Sequence, residues 1–214
     1  MTAPFPDVRA ILFDWDGTLL NSFRAGAAAY LAMFDALGIP WNLEDLGRHY
    51  SPDWQKIYRA AQLPRALWQR ADRIWRLHYA RQQCNLVPGA RQVLDALAAR
   101  FTVGLVTSGH GSRVLRELRR HKLTYLFRVR IYAESTRLHK PDPAPLQLAL
   151  RNLQVAPESS VYVGDAPEDI RMARRAGVRS VAVLGPFTTR TRLRAARPDA
   201  LIERITRLPH LFYR

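Results

Sequence analysis

The feature that most constrains the fold is the stretch ILFDWDGTLLNS, Ile11 to Ser22, an apolar run that ends abruptly on two aspartates. Short, nearly continuous apolar runs are typical of strands buried on both faces of a parallel sheet. We therefore expect a strand over VRAILFD, residues 8–14, followed by a polar turn that holds Asp14 and Asp16. Gly17 supplies backbone freedom in such a turn. A strand of this kind needs helices on both faces of its sheet, which restricts the chain to the α/β folds.

Four further runs share this apolar character and are also expected to be strands: FTVGLVTS at 101–108, VRIYAES at 129–135, SVYVGD at 160–165 and RSVAVLG at 179–185. Helical patterns lie between and beside them, in ARQVLDALAAR, GSRVLRELRRHK, APLQLALRNL and PEDIRMARRAG. This alternation of strand and helix predicts an α/β protein with a Rossmann-like open parallel sheet.

Residues 20–84 interrupt the alternation. They have mostly helical patterns, with turn signals at LGIP, YSPDW and QLPRA. The segment NLVPG, residues 85–89, then returns the chain to the sheet, and its proline and glycine mark the boundary. We therefore predict a core of residues 1–19 and 85–214 with an inserted all-helical domain of residues 20–84.

Composition limits the class of protein. A chain of 214 residues that is 48% hydrophobic can form one core with a smaller insertion. No apolar run reaches the roughly 18 residues of a membrane-spanning helix, and the first residues lack the pattern of a secretory signal. We therefore expect a cytoplasmic protein with no membrane segment. The single cysteine, Cys84, excludes an intrachain disulfide framework and a cysteine-based metal cluster.

The chain is strongly basic, with a formal charge of +15 and a pI of about 11.0. All but three of its 33 basic residues are arginines, and the lysines are Lys56, Lys122 and Lys140. One interpretation is a compositional bias toward arginine. The other is a positive field that attracts anionic substrates or nucleic acid. Charge alone does not separate the two.

Polar side chains follow the predicted strands at the points where the strands end. Asp14 and Asp16 follow the first strand, Thr107 and Ser108 close the second, Lys140 lies beyond the third, and Asp165 and Asp169 follow the fourth. In open α/β sheets, ligands bind at the carboxyl ends of the strands. Crowded carboxylates repel one another unless a cation joins them, and a hard, oxygen-preferring cation such as Mg²⁺ suits them. The pattern therefore predicts a magnesium site that attracts a phosphoryl group.

Each of these residues also has a structural interpretation when it is taken alone. The aspartates of DWDGT could form an acidic turn, Thr107 to Gly109 could cap the helix that opens at Gly111, Lys140 could be a solvated loop charge, and Asp165 and Asp169 could favour a helix dipole. The joint occurrence of all four features, in this order and at these strand ends, favours a functional site.

The same features resemble the haloacid dehalogenase-like hydrolase superfamily over most of the chain. DWDGT resembles its first motif, LVTS its second, HKPDP its third and VGDAPED its fourth. LLNS, LVPGARQVLDAL and DIRMARRAGVRSVAV resemble family sequences around these motifs. The insertion after the first motif is similar to the helical cap of the subgroup that contains phosphoglycolate phosphatases and β-phosphoglucomutase.

The resemblance implies the chemical roles of two aspartates. Asp14 would be the nucleophile that forms an aspartyl-phosphate, and Asp16 would be the general acid and base. The metal-free haloalkanoate dehalogenases of the superfamily lack an acid at the position of Asp16, so dehalogenation is disfavoured. Two departures, Ala166 where Ser or Thr is common and TSG in place of a Thr-Asn or Ser-Asn pair, concern the substrate class more than catalysis.

The resemblance also implies how the site binds its ligands. Mg²⁺ would be held by the Asp14 and Asp165 carboxylates and the Asp16 backbone carbonyl, with Asp169 ordering the site nearby or through water. The phosphoryl oxygens and the rest of the substrate would contact Thr107, Lys140, Thr18 and Ser108.

The predicted helical domain offers one further candidate. Arg48, in DLGRHYSPDW, lies where related caps present a specificity loop, so it could bind a substrate carboxylate or second phosphate. Alternatively it is one more solvated arginine. Aromatic residues interleaved with arginines are typical of single-strand nucleic-acid platforms. However, Trp68, Ala71, Trp75 and Tyr79 have the spacing of one buried helical face, which predicts a domain core instead.

Three functions follow from the sequence. The first is a Mg²⁺-dependent phosphatase of small anionic phosphomonoesters, similar to phosphoglycolate phosphatase. The second is a sugar phosphomutase of the same fold, similar to β-phosphoglucomutase. The third is a nucleic-acid-binding protein or end-processing phosphatase that uses the basic surface.

Overall fold

The computed structural model describes residues 5, 7–51, 53–186 and 188–212. The chain divides into two compact units. One, the α/β unit, comprises Met1–Leu20 and Leu86–Arg214. The other, the helical unit, comprises Asn21–Asn85.

The α/β unit is built on a six-stranded sheet with the order β3-β2-β1-β4-β5-β6, in which every neighbouring pair is parallel. Its strands are β1 (Ala10–Phe13), β2 (Thr102–Val106), β3 (Val129–Ile131), β4 (Ser160–Gly164), β5 (Arg179–Val183) and β6 (Ala200–Ile202). The predicted Rossmann-like α/β sheet is therefore confirmed.

Nine α-helices and four short 3₁₀ helices account for the rest of the regular structure in the described ranges. The helical unit contains α1 (Phe23–Ala36), α2 (Leu43–His49), α3 (Trp54–Ala60) and α4 (Trp68–Ala80). The α/β unit contains α5 (Ala90–Ala98), α6 (Gly111–Arg120), α7 (Ala144–Leu153), α8 (Pro167–Arg175) and α9 (Arg190–Ala196). No helix in the described ranges is long and apolar enough to cross a membrane.

The strand order places β1 at the centre of the sheet, between β2 and β4. From β1 the chain builds the sheet in one direction through β2 and β3, and then in the other through β4, β5 and β6. Ligand crevices of open α/β sheets lie at the carboxyl ends of the strands where the order reverses. Phe13, the last residue of β1, is in register with Leu105 and Val163, so the three strands end close together.

The sequence prediction was wrong in two places. It extended the third strand to Ser135, but β3 ends at Ile131 because the next residues form a short 3₁₀ turn in which the Tyr132 N–H donates to the Ser135 hydroxyl. It also omitted α9 and β6, since a three-residue strand carries too little periodicity to be recognised.

The core of the helical unit is rich in aromatic side chains. Ala71 and Tyr79 are buried, and Trp68 and Trp75 are half-buried, so the predicted internal face of α4 is confirmed. The Trp68 ring packs edge-on against Trp54 and Tyr58, and the Trp75 ring stacks on Tyr79 at 4.8 Å. These rings are used mainly in packing within their own unit.

Candidate active site

A buried lysine joins two carboxylates beyond the ends of β1 and β4. The Lys140 Nζ lies 2.6 Å from Oδ1 of Asp14 and 2.8 Å from Oδ1 of Asp169. Asp14 directly follows β1, Lys140 lies in the loop between β3 and α7, and Asp169 lies in the first turn of α8. All three side chains are buried. Burying a charge is costly unless it is paired with an opposite charge. The three residues therefore form one electrostatic unit.

Tyr162 of β4 completes the surroundings of the lysine, and sequence reasoning missed it. The Lys140 Nζ lies 5.3 Å from the centre of the Tyr162 ring, within the range of a cation–π contact. The Tyr162 hydroxyl donates to the Val106 carbonyl at 2.7 Å. Burial raises the pKa of Tyr162 well above its ordinary value, so the phenol stays neutral beside Lys140. Within the sequence this tyrosine has no signal beyond that of a strand residue.

Asp165, the residue after β4, adds a third buried carboxylate. Its Oδ1 accepts a hydrogen bond from the Thr18 hydroxyl at 3.2 Å. A Cβ atom at Gly17, whose φ of 83° is in the left-handed region, would overlap the Asp165 carboxylate, as would a Cβ atom at Gly185. The two glycines therefore provide the space in which this carboxylate lies. Thr18, which was predicted to contact substrate, orients Asp165 in this structure.

The three carboxylates form a donor set that suits a metal ion. One oxygen each of Asp14, Asp165 and Asp169 lie within 4.8 Å of one another. Asp169 is already used twice, since its Oδ2 accepts from the Ala166 N–H at 3.0 Å while its Oδ1 faces Lys140. Asp14 and Asp165, each with one oxygen engaged by a side chain, are therefore candidates for direct cation ligands, and Asp169 is a candidate for ordering the site. A set of hard oxygen donors fits a divalent cation of the Mg²⁺ type.

The pKa shifts of the buried groups also indicate that this group of carboxylates suits a cation. Burial, reinforced by the charge of Asp169, raises the pKa of Asp14 to about 7, although Lys140 opposes the shift. Burial, followed by the charges of Asp14 and Asp169, raises the pKa of Asp165 well above its ordinary value. Burial would lower the pKa of Lys140, but the two carboxylates outweigh it and raise that pKa. One ammonium thus compensates three carboxylates only in part, which is the charge pattern of a cation site.

The Asp16 side chain points to a different partner. Its carboxylate forms two hydrogen bonds with Arg113 of α6, at 3.0 Å from Nη1 to Oδ1 and 2.5 Å from Nη2 to Oδ2. The Asp16 carboxylate is thus absent from the carboxylate group described above. No spacing in the sequence distinguishes Arg113 from the other arginines, because the contact joins positions 97 residues apart.

Thr107 and Ser108 follow β2 at the same edge of the sheet. The buried Thr107 hydroxyl accepts a hydrogen bond from the Gly109 N–H at 3.0 Å. The residue before α6 is His110, whose side chain makes no cap hydrogen bond, and the Gly111 N–H at the start of the helix donates instead to Glu134 Oε1 at 2.9 Å. The alternative in which these residues cap α6 is therefore wrong. Ser108 is half-buried.

Arg48 lies in the helical unit, near the end of α2. Its guanidinium pairs with Glu44 of the same helix, and the Arg48 side chain is 65% exposed. This environment matches the alternative of a solvated arginine as well as that of a substrate contact.

Comparison with known proteins agrees with the fold. The family model for haloacid dehalogenase-like hydrolases matches residues 11–183. A phosphoglycolate phosphatase from Synechococcus elongatus is 31% identical over 202 residues, covering 92% of this chain and 93% of its own. The pyrophosphatase PpaX from Oceanobacillus iheyensis is 27% identical over 202 residues, covering 92% of this chain and 94% of its own.

A solved structure shows the same architecture. CbbY from Rhodobacter sphaeroides, in complex with phosphate, superposes with a TM-score of 0.82 at 25% identity, covering 96% of this chain and 100% of its own. The chain belongs to the haloacid dehalogenase-like hydrolase family. It is an enzyme of the phosphatase class within that family, as the motifs predicted.

Proposed function

We propose that this protein is a Mg²⁺-dependent phosphatase that hydrolyses small phosphomonoesters through an aspartyl-phosphate on Asp14. The observation that carries the proposal is the group of three buried carboxylates around Lys140, at the strand ends where the sheet order reverses. Phosphoryl transfer needs positioning and neutralised charge more than covalent chemistry, and this group can supply both.

In the first step an oxygen of Asp14 attacks phosphorus. The bond between phosphorus and the leaving oxygen breaks, and its electron pair stays on that oxygen, which takes a proton from Asp16. Lys140 lies 2.6 Å from Asp14, so its ammonium is close to the reacting carboxylate and can compensate the charge of the phosphoryl oxygens. Thr107, buried after β2, is the second candidate donor to those oxygens.

In the second step a water molecule attacks the phosphorus of the aspartyl-phosphate. The bond between phosphorus and Asp14 breaks, its electrons return to the carboxylate, and a proton of the water passes to Asp16. Phosphate leaves, and Asp16 is again protonated for the next cycle. Asp14 and Asp16 are therefore both necessary, but for different bonds.

Asp14 and Asp165 are the proposed carboxylate ligands of Mg²⁺, with the Asp16 backbone carbonyl as a third ligand and Asp169 ordering the site. When bound, the cation supplies positive charge that stabilises the transferring phosphoryl group. Gly17 and Gly185 support the placement of the Asp165 carboxylate, because a Cβ atom at either position would overlap it.

Two relatives indicate the class of substrate. One is named for phosphoglycolate and the other for pyrophosphate, so small, highly anionic phosphate compounds are the first candidates. The helical unit is the proposed cap that selects the leaving group, and Arg48 is its proposed contact to a carboxylate or second phosphate. We include Ser108 as a candidate contact in the α/β unit.

The test is phosphate release from phosphoglycolate, pyrophosphate, sugar phosphates, nucleoside monophosphates and a 5′-phosphorylated oligonucleotide. Each substrate is assayed with Mg²⁺, with EDTA, and with the Asp14→Asn variant. Asp95→Asn is the matched control, because Asp95 is on α5 with a side chain 47% exposed. We expect Mg²⁺-dependent release that is lost in Asp14→Asn and kept in Asp95→Asn.

Other results would point elsewhere. Release from the oligonucleotide alone would favour end processing. Release that persists in Asp14→Asn would exclude the proposed nucleophile. No release from a folded protein would exclude a phosphatase of these substrates, and a bisphosphate-dependent exchange between sugar phosphates would then identify a phosphomutase.

A further inference from the structure

The Asp16 carboxylate is held at two points. Both of its oxygens accept hydrogen bonds from the Arg113 guanidinium, at 3.0 Å and 2.5 Å. The Asp16 side chain is 24% exposed and that of Arg113 is 11% exposed, so solvent screens this pair only in part. Two parallel hydrogen bonds between a planar fork and a carboxylate fix the plane of the carboxylate as well as its position.

Arg113 is held by Glu117, and Glu117 is held in turn by Trp15, the residue next to Asp16. Glu117, one turn along α6, accepts from Arg113 Nη1 at 3.1 Å, and its Oε2 accepts from the Trp15 indole N–H at 2.7 Å. Trp15 is fully buried. Contacts therefore run from Trp15 to Glu117, to Arg113 and back to Asp16. These contacts hold the guanidinium in the orientation in which it faces Asp16.

The loop between β2 and α6 gives independent support. A Cβ atom at Gly109 would overlap Nη2 of Arg113, the same nitrogen that donates to Asp16, and would also lie too close to the buried Val114 side chain. The guanidinium thus lies in the space that any larger residue at position 109 would occupy. Gly109 belongs to the TSG sequence noted above as a departure from the family pattern. The absence of a side chain there makes room for Arg113.

We propose that Arg113, supported by Glu117, Trp15 and Gly109, is the positioning residue that sets the orientation of Asp16 for proton transfer. The proposal rests on the proposed function, because it takes Asp16 as the general acid and base. It assigns Arg113 no contact with the substrate. Its loss should therefore harm the proton transfer to the leaving oxygen and leave the attack by Asp14 largely intact.

The test compares kcat/KM for two substrates whose leaving groups differ in their need for a proton. p-Nitrophenyl phosphate releases a stable phenolate, whereas phosphoglycolate releases an alkoxide that must be protonated. General acid catalysis is worth about 10²–10⁴-fold, so for Arg113→Met we expect a loss of about 10–100-fold with phosphoglycolate and of less than about 3-fold with the aryl ester. Since kcat/KM excludes hydrolysis of the aspartyl-phosphate, the comparison isolates the first step.

Three further variants sharpen the result. Asp16→Asn should also lose more kcat/KM with phosphoglycolate than with p-nitrophenyl phosphate. The double variant of Asp16→Asn and Arg113→Met should lose little more kcat/KM than Asp16→Asn alone, because the two residues act through one group. Gly109→Ala should displace the guanidinium and reproduce part of the loss. Arg116→Met is the matched control, since Arg116 is an exposed arginine of the same helix.

Each alternative result would overturn the proposal. Equal losses of kcat/KM on both esters would make Arg113 a substrate contact or a purely structural residue. Unchanged kcat/KM in Arg113→Met, with Asp16→Asn impaired, would show that Asp16 needs no such support. If Asp16→Asn itself retained full activity on phosphoglycolate, the proposed function would fail as well, and this variant distinguishes the two failures.

Discussion

The two units of the molecule differ in the number of charged side chains that they bury. Among the described residues, all buried charged side chains belong to the α/β unit: Asp14, Lys140, Asp165, Glu168 and Asp169. The buried polar side chains described in the helical unit are two serines, Ser22 and Ser51, and its interior is otherwise apolar and aromatic. Buried charge is costly unless a protein uses or pairs it. The comparison therefore locates the chemistry in the α/β unit and leaves the helical unit with packing and its exposed surface.

Tryptophan positions make this comparison measurable. Four of the five tryptophans lie in the helical unit, at positions 41, 54, 68 and 75, and Trp15 lies in the α/β unit. Intrinsic fluorescence therefore follows mainly the helical unit, whereas far-ultraviolet circular dichroism follows both units. The two signals allow the effect of a substitution to be assigned to one unit.

The largest effect on stability is expected for Lys140→Met. Removing the ammonium leaves the neighbouring carboxylates buried without their counter-ion, and breaking such a pair costs about 3–5 kcal/mol. Urea unfolding in EDTA is followed by both circular dichroism and fluorescence, and a shift of the dichroism transition that exceeds the shift of the fluorescence transition assigns the loss to the α/β unit. Lys56→Met is the control, because Lys56 is an exposed lysine of α3. Equal stability of the two variants would show that the ion pairs around Lys140 contribute little.

A cavity made by Ile57→Ala in the helical unit should lower stability through lost packing rather than through lost charge pairing. Ile57 is fully buried in the aromatic core, and Ile57→Ala is expected to cost about 2–4 kcal/mol through lost packing and the cavity left behind. The loss should appear in the fluorescence transition of urea unfolding and should be independent of pH between about pH 5 and pH 8, since no charge is involved. A strong pH dependence of the loss would contradict this assignment.

The pH dependence of stability should separate the two units further. Because the folded pKa of Asp14 is raised to about 7, the unfolded chain releases this proton first as pH rises. Metal-free protein should therefore lose stability between about pH 4 and pH 7, and Asp14→Asn, which has no proton to release, should lose less. Thermal unfolding of both proteins in EDTA across this range measures the difference. A difference that stays constant with pH would contradict the raised pKa.

Mg²⁺ should oppose the loss of stability that the metal-free protein shows as pH rises. A cation at the carboxylates favours their ionised forms, so the stabilisation by Mg²⁺ should grow as pH rises. The same thermal series with Mg²⁺ in place of EDTA tests this point.

The smallest effect is expected for Arg48→Met. The pair between Arg48 and Glu44 is exposed, and such pairs contribute about 0–1 kcal/mol. Urea unfolding should therefore be nearly unchanged, whereas KM for phosphoglycolate should rise if Arg48 contacts its carboxylate. An unchanged KM would return Arg48 to the class of solvated arginines.

The sequence predicted what depends on local pattern. The central strands follow from continuous apolar runs, and the candidate residues Asp14, Thr107 and Asp165 follow from their places directly after those runs. Lys140 was recognised by its position in a motif rather than by any property of a lone lysine. These features need only neighbouring residues to be recognised.

What the sequence did not predict depends on distant contacts. The Thr18 hydroxyl reaches Asp165 across 147 positions, and Arg113 reaches Asp16 across 97. Tyr162 has the pattern of any strand residue, yet its ring lies beside Lys140. Such partners are set by the parallel register of the sheet and by the packing of α6, which no spacing in the sequence encodes.

The most direct test of the central claim is to identify the residue that carries the phosphoryl group. In Asp16→Asn the aryl ester p-nitrophenyl phosphate should still transfer its phosphoryl group, because its leaving group needs little protonation, while the second step should lack its base. The aspartyl-phosphate should therefore accumulate, and mass spectrometry of peptides from the acid-quenched protein should find it on Asp14. Its absence from Asp14, or a phosphoryl group on another residue, in a protein that still turns over substrate would contradict the account.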